Sequence, residues 1–151
     1  MSYKIDFNPA DVQWQVMMLQ QFPEIGNKHF YPAMHRATSE IRDKVMPNIP
    51  VDTGLALSEF RKAVSGKGLS ITGRVGWKAG IKAWYINVQE YGAPAHEINS
   101  YVPRLGVTIK MHPGVPALKF IERGQEEASS KVNPEMAMAA EAVVNELARK
   151  S

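Results

Sequence analysis

Phe60-Arg61-Lys62-Ala63-Val64-Ser65-Gly66-Lys67-Gly68-Leu69-Ser70-Ile71-Thr72-Gly73-Arg74-Val75-Gly76-Trp77 is the stretch in which the chain changes its period. Leu69, Ile71, Val75 and Trp77 hold alternate positions, and Ser70, Thr72, Arg74 and Lys78 lie between them. Alternation sends successive side chains to opposite faces, so this predicts a half-buried strand. Upstream, Phe60 and Val64 alternate with Arg61 and Ser65. Gly66-Lys67-Gly68 then reads as a tight hairpin loop joining the two strands. Downstream, Trp84, Ile86 and Val88 alternate with Tyr85, Asn87, Gln89 and Tyr91, which predicts a third strand. The expectation is one antiparallel sheet with a polar face. Val107, Ile109 and Met111 also alternate and predict a short strand that would make it four.

On the N-terminal side the period is helical. Asn8-Pro9 is a helix start, because proline is tolerated at the first helical position. Val12, Val16 and Leu19 recur at helical spacing, and Pro23 is expected to end that segment. A second helix is expected to run to about Val45, with Ile25, Phe30, Ala33, Ala37, Ile41 and Val45 as its apolar stripe. Pro47 and Pro50 stop it. On the C-terminal side, residues 92–115 read as a long loop rich in glycine and proline. Val115-Pro116 opens a helix that buries Leu118 and Ile121, with Phe120 as a further candidate. Asn133-Pro134-Glu135 starts another, with Met136, Ala140, Val143 and Leu147 as its stripe. The reading is a single α+β domain: helices over 9–46, strands over 55–91, a loop over 92–115 and helices over 116–149.

A length of 151 residues suits one domain, and 44% hydrophobic with 22% charged residues is an ordinary globular composition. Cysteine is absent, which removes disulfides, thiolate nucleophiles and cysteine-ligated metals. No apolar run approaches a membrane span, and Met1–Phe7 has no secretory signature, so cytosolic synthesis is expected. The net charge of +3 is uneven: residues 51–115 carry 8 bases and 4 acids, a local +4. Arg61, Lys62, Lys67, Arg74, Lys78, Lys82, Arg104 and Lys110 lie there among Trp77, Trp84 and Tyr85. Bases interleaved with aromatics can bind nucleic acid, although a solvated sheet face explains the same pattern.

Motifs with catalytic meaning have bland readings here. Asp52-Thr53-Gly54 is the aspartic-protease triplet, but one copy would need a homodimer to pair its carboxylates. A turn in which Asp and Thr bond their own backbone is the simpler reading. His96-Glu97 lacks the second histidine of a zinc helix, because Ser100 stands at that position. His112 adds no third ligand at metal spacing. His29 and His35 fall on different helix faces. Ser58 and Ser65 have no histidine near them in sequence, and Gly66-Lys67-Gly68 lacks a third glycine for phosphate. The expectation is no enzyme, no cofactor and no metal.

Three segments, in order, carry a resemblance. They are Pro50-Val51-Asp52-Thr53-Gly54-Leu55-Ala56-Leu57-Ser58 after an amphipathic helix, Trp84-Tyr85-Ile86-Asn87-Val88-Gln89-Glu90-Tyr91-Gly92, and Val115-Pro116-Ala117-Leu118-Lys119-Phe120-Ile121 opening a helix. Over about residues 10–130 the chain resembles the tail-completion proteins (neck, or head–tail joining, proteins) of long-tailed bacteriophages and prophages. It departs from that pattern with Ala56 at a leucine position, Ala93 where threonine is usual, and a longer loop over 93–114 with a longer separate helix from Pro134. The resemblance implies a non-enzymatic virion protein, made in the host bacterial cytoplasm, that forms a ring at the head–tail junction. Hexamers are the usual count. Its partners would be further copies of itself, the portal, adaptor or stopper above, and the tail tube or terminator below. Tyr101, Pro103, Leu105 and Val107 are the candidate contact loop between copies. Arg74, Lys78 and Lys82 are candidates to face the DNA passing through the neck. The other readings are a tail terminator or other minor tail protein, a nucleic-acid-binding module using the basic sheet, and a dimeric aspartic protease.

Overall fold

Ile25, Ala33, Ala37 and Val45 recur at helical spacing and are all buried, and they fix the first element, α1 (Pro9–Val45). It is one helix of 37 residues, with Pro23 and Pro32 inside it. The expected break at Pro23 is therefore corrected. A proline inside a helix removes one hydrogen bond and costs about 3 kcal/mol. Both prolines lie on the exposed side, where the carbonyl left without a donor can bond water. The apolar stripe is left uninterrupted and continues to pack. The structure is a computed structural model, and it describes residues 9–51, 54–68, 70–78 and 85–150.

After a 3-10 turn over Met46–Asn48 come α2 (Leu55–Glu59), β1 (Phe60–Ser65), β2 (Thr72–Trp77) and α3 (Tyr85–Tyr91). They are followed by β3 (His96–Val102), β4 (Val107–His112) and α4 (Phe120–Lys150). The fold is α+β, as the sequence predicts. The single antiparallel sheet is not: the described strands form two antiparallel pairs, β1 with β2 and β3 with β4. The expected third strand is the helix α3. Tyr85–Tyr91 buries Ile86 and Glu90, four apart, which is helical spacing. The region 92–115 is no bare loop but holds the β3–β4 hairpin. The two expected C-terminal helices are also one, since Pro134 sits on the exposed side of a continuous 31-residue α4. This helix begins at Phe120 rather than Pro116.

The chain divides into two compact units. Unit 1 takes residues up to Ile41, Lys62–Val75 and the chain from Ala128 on. Within it α1 and α4 run antiparallel, because Lys28 pairs with Glu146, Arg36 with Glu135 and Glu40 with Lys131. The buried residues Ile25, Ala33, Ala37, Ala128, Ala139 and Val143 supply its core. Ala140, expected on this stripe, is exposed, and Ala139 one position earlier is buried instead. Val16 and Leu19, also expected in a stripe, are 46% and 71% exposed.

Unit 2 takes Arg42–Arg61 and Gly76–Glu127. Its centre is Phe120, fully buried, with Val45, Ile49, Ala56, Phe60 and Ile86. Trp77 stacks obliquely on Phe60 at 4.7 Å and meets Phe120 edge-on at 6.2 Å. Its indole N–H donates to the Ala56 carbonyl at 2.6 Å, so the one polar atom of this ring is satisfied. A Cβ on Gly124 would stand 2.9 Å from the Val45 Cα, so only glycine permits this approach of α4 to the end of α1. Leu118, expected in the core, is 42% exposed, and Phe120 occupies that place.

Candidate functional site

The strand-end motif Glu90-Tyr91-Gly92 is a latch on the start of α4. Glu90 is 3% exposed. One oxygen of its carboxylate accepts the Ile121 N–H at 2.9 Å, and the other accepts the Glu122 N–H at 3.2 Å. These are first-turn donors that have no partner inside the helix. The negative charge also lies at the positive end of the α4 dipole. The Gln89 and Glu90 carbonyls accept the Leu118 and Lys119 amides at 2.8 and 3.2 Å. The four hydrogen bonds fix the segment before α4 against the end of α3. Gly92 follows at φ +75°, and a Cβ there would stand 2.7 Å from the Val115 carbonyl oxygen. The backbone closes at this point through a bridge between Ala93 and Val115. Lys119 holds the left-handed conformation at φ 51°, and its bond to the Glu122 carboxylate raises its pKa. Tyr85 is half-buried, whereas Tyr91 is 77% exposed.

Beyond the bridge, the β3–β4 hairpin is exposed almost throughout: only Ile98, Val102 and His112 are partly covered. Its register pairs Val102 with Val107, Tyr101 with Thr108, Ser100 with Ile109, Glu97 with Met111 and His96 with His112, with a bulge between Glu97 and Ser100. Directly opposed residues share a face. One face therefore carries Val102, Val107, Ile109 and Met111 together with Ser100 and Glu97, and the other carries Tyr101, Thr108, Lys110 and the two histidines. Val107, Ile109 and Met111 are 48%, 39% and 53% exposed. Of the expected contact residues, Tyr101 is on the second face, Pro103 and Leu105 are in the exposed turn, and Val107 begins the apolar row. Ile109 and Met111 belong with them and were read only as a strand signal. At the base, His96 and His112 stack with ring centroids 5.1 Å apart. His96 Nδ1 donates to the Pro94 carbonyl, and His112 Nδ1 accepts the Gly114 N–H. Among the described residues no three His, Cys, Asp or Glu side chains gather as a metal set.

The motif turn Pro50–Gly54 leads into α2, not into a strand. Asp52 and Thr53 lie outside the described residues. Pro50 is partly covered, Val51 is 68% exposed, and Gly54, at φ +78°, caps α2 with its carbonyl accepting the Ser58 N–H. The basic residues do not behave as one group. Arg74, in unit 1, and Lys78, in unit 2, are exposed, and Lys82 lies outside the described residues. Lys62 turns inward and donates to Ser39 Oγ and the His35 carbonyl, and Arg61 sits 3.7 Å from Glu59. No helix among the described residues is long and apolar enough to cross a membrane. The chain matches no protein-family model, no curated protein and no solved structure.

Proposed function

We propose that this chain is a structural, non-enzymatic subunit of a phage or prophage head–tail junction that works as a ring of identical copies. The observation that carries the reading is the hairpin. An isolated two-stranded hairpin is marginal in water. Here it is long, and it leaves a row of aliphatic side chains and both strand edges uncovered. Such surfaces are ordinarily occupied by a partner. The latch supports the same reading from the other side. Glu90 and Gly92, two of the motif residues shared with tail-completion proteins, hold the hairpin's base to the start of α4 and leave its faces open. Portal-side and tail-side rings are the partners that this role requires, and the location is the neck or tail of the virion.

Exposed Arg74 and Lys78 suit weak, sequence-independent attraction to passing DNA. Changing Arg74, Lys78 and Lys82 together to Glu should impair DNA passage, and unchanged infectivity would refute that part. The ring itself is tested by light scattering on the eluting protein. The full chain should run as an oligomer of about six copies, and a chain lacking residues 95–112 as a monomer. Intact rings from the deleted chain would refute the hairpin as the contact.

A further inference from the structure

We propose that the root of the β3–β4 hairpin is a proton-operated joint, closed while His112 is neutral and opened once both His96 and His112 carry a second proton. The joint lies within one chain and needs no ring. His96 and His112 face each other across the two strands, with their rings stacked 5.1 Å apart and 22° from parallel. Their hydrogen bonds fix which nitrogen holds the proton. The Pro94 carbonyl can only accept, so His96 Nδ1 carries a hydrogen and donates it at 3.0 Å. The Gly114 amide can only donate, so His112 Nδ1 is bare and accepts it at 3.1 Å. The neutral His112 ring therefore holds its proton on Nε2.

Acid acts differently on the two rings. His96 is exposed and takes a second proton on its free Nε2 without losing the Pro94 bond. His112 is half-buried, and its only remaining basic nitrogen is the Nδ1 that holds Gly114. A proton there turns the acceptor into a donor facing the amide N–H, and it sets two imidazolium rings in one stack. Lys110 lies on the same face, two residues before His112, Glu97 stands on the opposite face across from Met111, and Arg104 is in the turn at the far end. Among the described residues no Asp or Glu gathers with the two rings. Gly114 also abuts the closing bridge, where Val115 and Ala93 exchange two hydrogen bonds of 2.9 Å. At φ +88° it packs so close that a Cβ would stand 2.6 Å from the Ala93 carbonyl oxygen. Losing the hold on Gly114 therefore loosens the bridge. The open root accepts a proton that the closed root has no place for. The closed form thus binds fewer protons and weakens as pH falls through the ordinary imidazole range, about 6.5 and below. The Glu90 latch on α4 contains no imidazole and stays shut.

Hydrogen exchange of the full chain, followed by NMR, tests the joint. Protection of the Ala93, Gly114 and Val115 amides is corrected for the intrinsic pH dependence of exchange. It should fall about tenfold or more between about pH 7.5 and about pH 5, while the Ile121 and Glu122 amides held by Glu90 keep theirs. His112→Asn offers Gly114 an oxygen acceptor that takes no proton, so it should stay closed at both pH values. His96→Asn removes the second charge and leaves the Gly114 bond to fail alone, so its acid loss should be smaller than the native one. Root amides equally protected at both pH values, or already unprotected at neutral pH, would overturn the joint. So would an acid loss undiminished in His112→Asn. Should His112→Asn leave the root unprotected even at neutral pH, His96→Asn decides: an acid loss as large as the native one overturns the pairing of the rings, and a smaller one upholds it.

Discussion

Glu90 and Ile109 both belong to unit 2, in the segment that the sequence presents as a strand followed by a loop. Glu90 is charged and 3% exposed, while Ile109 is aliphatic and 39% exposed. Hydrophobicity alone would place them the other way round. Glu90 is inside because two helix-end amides need an acceptor, and a buried carboxylate with those donors meets the need. Ile109 stands at the surface because the described residues leave β4 largely uncovered. The contrast separates residues that hold this fold from residues available to other molecules. It also assigns the motif glutamate and glycine to the first group.

The first way to break the comparison is to damage the held side. Phe120→Ala empties the centre of unit 2 beside Trp77, and should cost about 3–5 kcal/mol in denaturant unfolding. Glu90→Ala should follow, at about 2–3 kcal/mol, because it strands the Ile121 and Glu122 amides. Glu90→Gln keeps the shape and an acceptor oxygen but loses the charge, so it should fall between Glu90→Ala and the native chain. If Glu90→Ala melted with the native chain, the latch would carry no weight.

Much of the helical core was legible, and its limits have physical causes. The stripe Ile25, Ala33, Ala37, Val45 shows in sequence because a long helix repeats its pattern many times. The prolines misled because their cost is local, whereas the packing that outweighs it is spread along 37 residues. Tyr85–Tyr91 misled because seven residues fit two periods: Ile86 and Val88 alternate, while Ile86 and Glu90 share a helix face. A pattern of apolar residues cannot nominate a buried glutamate, since its reason for burial lies thirty residues away in α4. Of the hairpin, only β4 was readable. His96-Glu97-Ile98-Asn99-Ser100-Tyr101 carries no alternating apolar row, because a hairpin uncovered by its own chain buries no face.

The exposed side should respond in the opposite way. Ile109→Ser removes a side chain that the monomer covers only in part, so the unfolding free energy should fall by about 1 kcal/mol, well short of the Phe120 and Glu90 variants. Assembly should weaken tenfold or more, which is about 1.4 kcal/mol per contact, read as a shift of the ring–monomer transition in sedimentation. Thr108→Ser, on the other face of β4, is the matched control and should leave that transition in place. A variant at Ile109 that assembles normally would move the contact to the Tyr101 face.

The smallest effect lies in unit 1 and separates surface charge from both regions. Lys28 Nζ and His29 Nε2 each stand 2.7 Å from Glu146 Oε2, and these bonds hold its carboxyl at about 2, below the ordinary 4.5. A carboxyl with a depressed folded pKa binds its proton more readily in the unfolded chain. Its stabilisation is therefore complete above about pH 4.5 and is lost as pH falls towards 2. Lys28 is largely exposed, and exposed pairs are weak, so the acid limb should be shallow and should flatten further with salt. Glu146→Gln should remove that part of the limb while leaving neutral-pH assembly unchanged, because α1 and α4 keep their buried stripe of Ile25, Ala139 and Val143. Loss of rings in Glu146→Gln at neutral pH would show that this ion pair, and not only the buried stripe, supports the assembly.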